Sequence, residues 1–278
     1  METPGPAPKL VASDVDGTII TSQERILPQV RDVIVRAVQA GTEVALATGR
    51  PHRWIFPVLD QLPIRPVCVT ANGAVVYDSA NDQVIASHTL APDTMTEVLD
   101  LAKEAFHGVG GVAVACERVG RSAFDPEEEM FVVAPDFLNT WEEQGFGVLP
   151  EYEVISEPAV KMLLRHEGLS APEMFDILAP FLDPDVAHVT FSMNEGLLEV
   201  AAPGVTKALG VSTLATMHGI DQSEVIAFGD MPNDIEMLAW AGIGVAMGNA
   251  RDSVKDVADF VTGTNNEGGI AQVLERWF

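Results

Sequence analysis

Apolar positions follow one rhythm at the two ends of the chain and another in its middle. Leu10-Val11-Ala12, Glu43–Ala47 and Val67–Thr70 are short apolar runs of strand length. Between the first two, Pro28–Ala40 repeats apolar residues at Val30, Val33, Ile34 and Ala37, the spacing of a helix with one buried face. Gly41 supplies its stop. A further helical stretch starts near Pro51, and Asn72-Gly73 signals a turn into a hairpin, Ala74–Tyr77 with Gln83–Ser87. The pattern returns late in the chain: a helix over Thr206–His218 stopped by Gly219, a strand at Val225–Phe228, a helix at Asn233–Trp240 and a strand at Gly242–Ala246. Strands alternating with helices predict an α/β fold built on a doubly wound parallel sheet covered on both faces.

The middle reads as α+β. Thr94–Phe106 and Pro172–Phe181 are helical, whereas Val112–Cys116, Met130–Val133, Ala159–Arg165, Val186–Met193 and Leu197–Ala201 are strand-like. Charge shifts at the same place: residues 87–199 hold 22 Asp and Glu against 5 Lys and Arg. This block is therefore expected to be a separate unit. Its densest acidic run, Asp125-Pro126-Glu127-Glu128-Glu129, reads as a solvated loop.

The 278 residues suffice for two domains, or for one with a large insertion, and 47% hydrophobic composition suffices for an ordinary core. A net charge of −25 disfavours nucleic acid, whose counterions basic residues must replace. No apolar run reaches membrane-spanning length. Met1–Pro8 lacks the regions of a signal peptide and reads as a short disordered arm. Cys68 and Cys116 are too few for a disulfide framework or a four-cysteine metal site. The expectation is a soluble cytoplasmic protein, with its oligomeric state left open.

Chemistry concentrates where strands end. Asp14-Val15-Asp16-Gly17-Thr18 follows the first strand, and Gly17 permits a sharp turn there. Two carboxylates this close repel unless a proton or cation joins them; a hard cation with oxygen ligands fits. The plainer alternative is a polar loop capping a turn. Ala45-Leu46-Ala47-Thr48-Gly49-Arg50 ends the second strand in a hydroxyl and exposed backbone N–H groups, suited to a phosphate oxygen, or to capping the next helix. Lys207 stands in the first turn of a helix, where the dipole disfavours a cation, so either a particular task holds it there or it is merely solvated. Gly229-Asp230-Met231-Pro232-Asn233-Asp234 again puts two carboxylates at a strand's carboxyl end, with Pro232 suited to open a helix.

With DVDGT, ATGR, the Lys of GVTKAL and GDMPNDIEML in this order, the chain resembles the haloacid dehalogenase (HAD) superfamily of phosphohydrolases, and most of all its Cof-type sugar-phosphatase-like group. Ala71-Asn72-Gly73-Ala74, Ala246-Met247-Gly248-Asn249-Ala250 and Asn266-Glu267-Gly268-Gly269-Ile270 are supporting matches. Ala208 departs from the family's more frequent Gly. The resemblance implies a core at residues 1–86 and 201–278 with an inserted α/β cap at 87–200, mobile over the strands' carboxyl ends. It also implies Mg²⁺-dependent hydrolysis of a small phosphate monoester, a sugar phosphate or similar metabolite. Asp14 would be the nucleophile and Asp16 the acid and base. Asp14, Asp230 and the backbone carbonyl of Asp16 would bind Mg²⁺, while Thr48, Gly49 and Lys207 would bind phosphoryl oxygens. Asn233 and Asp234 would orient the metal shell and Lys207. A phosphosugar mutase on the same core, or a non-hydrolytic phospho-acceptor module, are the competing readings, and Asp16 argues against the second.

In the cap, alternation along Lys161–Arg165 puts Lys161, Leu163 and Arg165 on one face and Met162 and Leu164 on the other. Thr190, Ser192 and Asn194 form the corresponding polar set of Val189–Asn194. This more polar face would either roof the site, with Lys161, Arg165 and Thr190 reading the leaving group, or meet solvent.

Overall fold

The computed structural model describes residues 5–137 and 145–278. The chain divides into two compact units, residues 1–85 with 206–278, and residues 86–205. Met1–Pro4 of the expected N-terminal arm lie outside the described residues. The rest of that arm is tied down: the Pro8 carbonyl accepts from Thr42, and the Gly5 carbonyl from the Trp277 indole.

The first unit begins with β1 (Leu10–Ser13), α1 (Pro28–Gln39) and β2 (Glu43–Ala47). Pro28 opens α1 at no hydrogen-bonding cost, and Val30, Val33, Ile34 and Ala37 form its buried face. The stretch after Pro51 is not one helix but a 3₁₀ turn, His52–Trp54, followed by the short α2 (Phe56–Leu59), whose second residue is Pro57. β3 (Val67–Thr70), β4 (Val75–Asp78) and β5 (Gln83–Ser87) follow. Asn72-Gly73 turns β3 into β4, with Ala71, Asn72 and Gly73 all at positive φ. A Cβ on Gly73 would lie 1.9 Å from the Thr206 carbonyl oxygen, so this close approach requires glycine.

The second unit contains α3 (Pro92–Phe106), β6 (Ala113–Glu117), α4 (Glu127–Met130), β7 (Phe131–Val133), β8 (Gly147–Val148), α5 (Glu151–Val154), β9 (Lys161–Arg165), α6 (Ala171–Leu178), β10 (His188–Thr190) and β11 (Leu197–Ala201). Its six-stranded sheet runs β10-β11-β9-β6-β7-β8, antiparallel except for β7–β8. Two expectations change here. The acidic run is not a loop: Glu127–Met130 is helical, and its three glutamates fall in the first turn, where the helix dipole favours negative charge. The strand expected over Val186–Met193 is only His188–Thr190, so Ser192 and Asn194 lie beyond it.

One face of that sheet packs on α3 and α6 through Met162, Leu164, Val114, Cys116, Leu198 and Val200. The opposite face is less polar than alternation implied. Leu163 joins Ala115, Phe131, Val133, Phe137 and Leu197 in a second apolar cluster. Polar residues cross the same face as a buried stripe, through the register Glu117↔Lys161, Leu163↔Glu199 and Glu199↔Thr190.

The chain then returns to the first unit with α7 (Lys207–His218), β12 (Val225–Gly229), α8 (Ile235–Trp240), β13 (Ile243–Ala246), α9 (Asp252–Lys255), β14 (Phe260–Val261) and α10 (Gly269–Leu274). Its eight-stranded sheet has the order β14-β13-β12-β1-β2-β3-β4-β5. The run β14 to β3 is parallel, while β4 pairs antiparallel with β3 and extends the sheet beyond its parallel part. α7 and α8 cover one face through Val211, Leu214, Met237 and Leu238. β1 is flanked by β12 on one side and β2 on the other, so strand order reverses there. The carboxyl end of β1 is thus a topological switch point, where open α/β sheets form ligand crevices. Among the described residues, no helix is long and apolar enough to cross a membrane.

Candidate active site

Asp14 directly follows β1, Thr48 follows β2, Asp230 follows β12, and Lys207 opens α7. Strand register brings them together: Ser13 pairs with Leu46 on one side and Phe228 on the other, and the Asp14 N–H donates to the Phe228 carbonyl at 2.9 Å. Lys207 is 1% exposed and donates to Asp14 Oδ1 at 2.6 Å and Asp234 Oδ1 at 2.7 Å. The unfavourable placement of a cation at a helix start is thereby explained. Two buried carboxylates outweigh the dipole, and Thr206 caps the helix through the Leu209 N–H.

Asp234 has both oxygens engaged. Oδ1 meets Lys207, and Oδ2 accepts from the N–H groups of Asp230 and Met231, each at 2.9 Å. A Cβ on Gly229 would sit 2.4 Å from that of Asp234, so the loop closes this tightly only with glycine. Asp230 accepts from Thr18 Oγ1 at 3.2 Å and Asn249 Nδ2 at 3.2 Å. Asn249 also holds the Gly17 carbonyl. Gly17 has φ +79°, and a Cβ there would lie 2.3 Å from Asp230 Oδ2. Asn233 Nδ2 donates to Asn72 Oδ1 at 3.0 Å, while Asn233 Oδ1 is buried with no partner among the described residues. Thr48 is buried, and its hydroxyl accepts from the Arg50 N–H at 3.1 Å; Gly49 lies between them in the same turn.

Asp14, Asp230 and Asp234 can each offer a carboxylate oxygen within 4.8 Å of the others. Burial, and then the charge of Asp234, drive the Asp14 carboxyl well above its usual range; Lys207 opposes this only in part. The same causes push Asp230 up to about 7. Burial alone would lower the Lys207 pKa, but Asp14 and Asp234 outweigh it and raise it, so the ammonium stays charged. One cation among three carboxylates leaves negative charge uncompensated. All-oxygen donors, excess charge and the unpartnered Asn233 Oδ1 together fit a hard divalent cation. Asp234 is the weaker ligand of the three because both its oxygens are already used.

The Asp16 carboxylate is outside this cluster. It accepts from Arg50 Nε at 2.8 Å and Nη2 at 2.5 Å. Lys161, Arg165 and Thr190 belong to the second unit. Lys161 and Thr190 are buried beside Glu199, which pairs with Lys161 at 2.5 Å and accepts from Ser192, and Arg165 ends the same strand. Sequence reasoning assigned no role to Arg50, Asn249, Thr18 or Glu199. Arg50 and Asn249 stood inside quoted motifs without a task. Glu199 could have been noticed as an acid at the centre of the apolar run Leu197–Ala201.

A family model described as haloacid dehalogenase-like hydrolase matches residues 11–274. The chain belongs to this family. It is 29% identical over 272 residues to the 5-amino-6-(5-phospho-D-ribitylamino)uracil phosphatase YitU of Bacillus subtilis, covering 98% of each chain. It is 25% identical to the pyridoxal phosphate phosphatase YbhA of Escherichia coli, covering 96% of this chain and 97% of that one. Among solved structures, the HAD phosphatase BT1666 of Bacteroides thetaiotaomicron superposes with a TM-score of 0.78 at 26% identity, over 97% of this chain and 94% of that one. The protein is a HAD phosphatase of the Cof-type group, with the α/β architecture expected of that family.

Proposed function

We propose that this HAD phosphatase hydrolyses a small phosphate monoester with Mg²⁺, through an aspartyl-phosphate on Asp14. The observation that carries this reading is the state of Asp14. Lys207 holds Oδ1, whereas Oδ2 accepts no hydrogen bond among the described residues. A buried carboxylate with one oxygen anchored and the other open is oriented as a nucleophile.

In the first step Asp14 Oδ2 attacks phosphorus, the ester P–O bond breaks, and the leaving oxygen takes a proton from Asp16. In the second, Asp16 takes a proton from water. The water oxygen bonds to phosphorus, the bond to Asp14 breaks, and inorganic phosphate leaves. Lys207, Thr48 and the Gly49 N–H would hold phosphoryl oxygens, and Asp234 fixes Lys207. Asp14, Asp230 and the Asp16 carbonyl would hold Mg²⁺, with Asn233 supporting its shell; the ion supplies charge neutralisation for the transferring group.

Two relatives align along almost the whole chain and are named for different substrates. We assign the choice of ester to the second unit, with a sugar phosphate or similar hydroxyl-rich metabolite as substrate; YitU, named for a ribityl phosphate, supports this class. The test is a panel of sugar, polyol, nucleotide and cofactor phosphates, assayed for inorganic phosphate with and without Mg²⁺. Metal-dependent release, favouring sugar or polyol phosphates, is expected. No release from any ester, or transfer to a second substrate hydroxyl with no free phosphate, would overturn the reading.

A further inference from the structure

Arg50 is fixed at both ends. Its N–H donates to Thr48 Oγ1 at 3.1 Å and its carbonyl accepts from Ala71 at 2.9 Å, which locks the backbone between the ends of β2 and β3. Its side chain reaches the β1 loop and grips Asp16 with two parallel hydrogen bonds, Nε to Oδ2 and Nη2 to Oδ1. Such a fork fixes the plane of a carboxylate as well as its place, which a lysine could not do. The two partners differ in freedom. The Asp16 side chain is 55% exposed, against 22% for Arg50. Glu24 lies 3.9 Å from the same Nη2 and offers the guanidinium a second anion.

A carboxyl whose two oxygens both accept from one guanidinium has no oxygen left to hand a proton to a leaving group. The arrangement is therefore not the one in which Asp16 acts. We propose that Arg50 is a positioning residue for Asp16: it parks the carboxylate beside the site, then releases one oxygen, which takes a proton from solvent and faces the leaving-group oxygen, while retaining the other, so that Asp16 is aimed and not left to swing freely. This rests on the assignment of Asp16 as acid and base above. The hydrogen bonds rearrange without Arg50 itself gaining or losing a proton.

The test uses the full chain with Mg²⁺ and three aryl esters of similar shape: 4-nitrophenyl, phenyl and 4-methylphenyl phosphate. These differ mainly in how much the leaving oxygen needs a proton. The variants are Arg50→Ala, Arg50→Lys, Asp16→Asn and the double variant Arg50→Ala/Asp16→Asn. Arg50→Ala should lower kcat/KM about 10-fold or more for phenyl and 4-methylphenyl phosphate but less than about 3-fold for 4-nitrophenyl phosphate, part of the 10²–10⁴-fold that a general acid provides. Arg50→Lys, which keeps the charge and loses the fork, should follow it. In the Asp16→Asn background the Arg50 substitution should add no further leaving-group dependence. The inhibition constant of inorganic phosphate should stay within about 2-fold, since a positioning residue does not touch the phosphoryl group.

Equal losses for all three esters, a raised phosphate inhibition constant, or effects that multiply in the double variant would each overturn the proposal. So would an Arg50→Lys variant indistinguishable from the parent. Should Arg50→Ala fail to fold by circular dichroism, the Arg50→Lys series decides alone. The underlying assignment fails separately: an Asp16→Asn variant without leaving-group dependence would remove Asp16 from the acid role, whatever Arg50 does.

Discussion

Lys207 Nζ lies 2.6 Å from Asp14 Oδ1, and neither side chain is more than 7% exposed. This pair joins the start of α7 to the end of β1, across most of the chain. Removing one partner of a buried pair costs more than the pair itself contributes, because the other charge stays buried. Lys207→Met should therefore destabilise the protein by about 3–5 kcal/mol and abolish turnover. Thermal melting and phosphate release together check this. A variant that melts like the parent would mean Asp14 and Asp234 find another counter-charge.

Asp14→Asn acts in the opposite sense on stability. It removes one of three crowded carboxylates and leaves Lys207 paired with Asp234 at 2.7 Å. The expected outcome is a melting temperature equal to or above the parent's, with turnover at background. Near-parental hydrolysis by the purified variant would exclude Asp14 as the nucleophile.

The acidic cluster makes metal binding and pH interdependent. The folded pKa of Asp230 is raised to about 7, above roughly 3.9 in an unfolded chain. A raised carboxyl binds its proton more tightly when folded. Its stabilisation is complete below about pH 4 and is lost as pH rises through about 7. The metal-free protein should thus lose stability progressively as pH rises from about 4 to about 7 and level off above that, and Mg²⁺ should raise the melting temperature more at pH 8 than at pH 6. Activity should vanish with a chelator and return with Mg²⁺. Ca²⁺ should support it poorly, because it prefers more ligands at longer distances. A pH-independent Mg²⁺ shift, or equal rates with both ions, would contradict this coordination.

In the second unit, Lys161 is now a buried partner of Glu199 and not an exposed donor, so Lys161→Ala alone would confuse stability with selectivity. Thr190→Ala is the cleaner probe, and Lys161→Met with Glu199→Gln the matched pair. On the proposal that this stripe reads only the leaving group, both should reorder the preferred esters in a broad panel while changing 4-nitrophenyl phosphate turnover by less than about 3-fold. An unchanged ranking would make the stripe across β6, β9, β11 and β10 a structural network.

Local chemistry alone made much of this legible. Each strand-end motif could be placed because alternating strands and helices dictate a parallel sheet, and such a sheet presents its carboxyl ends on one edge. A cation at a helix start could be recognised as out of place from its position alone. Gly219 as the stop of α7 and Pro28 as the start of α1 followed from backbone chemistry within a few residues.

Partners distant in sequence were another matter. That Asp234 would orient Lys207 came with the family resemblance, but that it would spend its second oxygen on the Asp230 and Met231 N–H groups depended on how tightly Gly229 lets the loop close. That Asp16 would face Arg50 and Lys161 would face Glu199 depended on strand register and on which side chains were left in reach once the apolar faces had packed. The acidic run before β7 carries its glutamates in a helical turn, where the dipole tolerates them, and that turn ends where Phe131 enters the sheet. Sequence determined which groups stand at the ends of strands, since periodicity and turn chemistry act over a few residues. Tertiary structure decided which of those groups touch, since pairing is settled by register and packing between segments that the sequence keeps far apart.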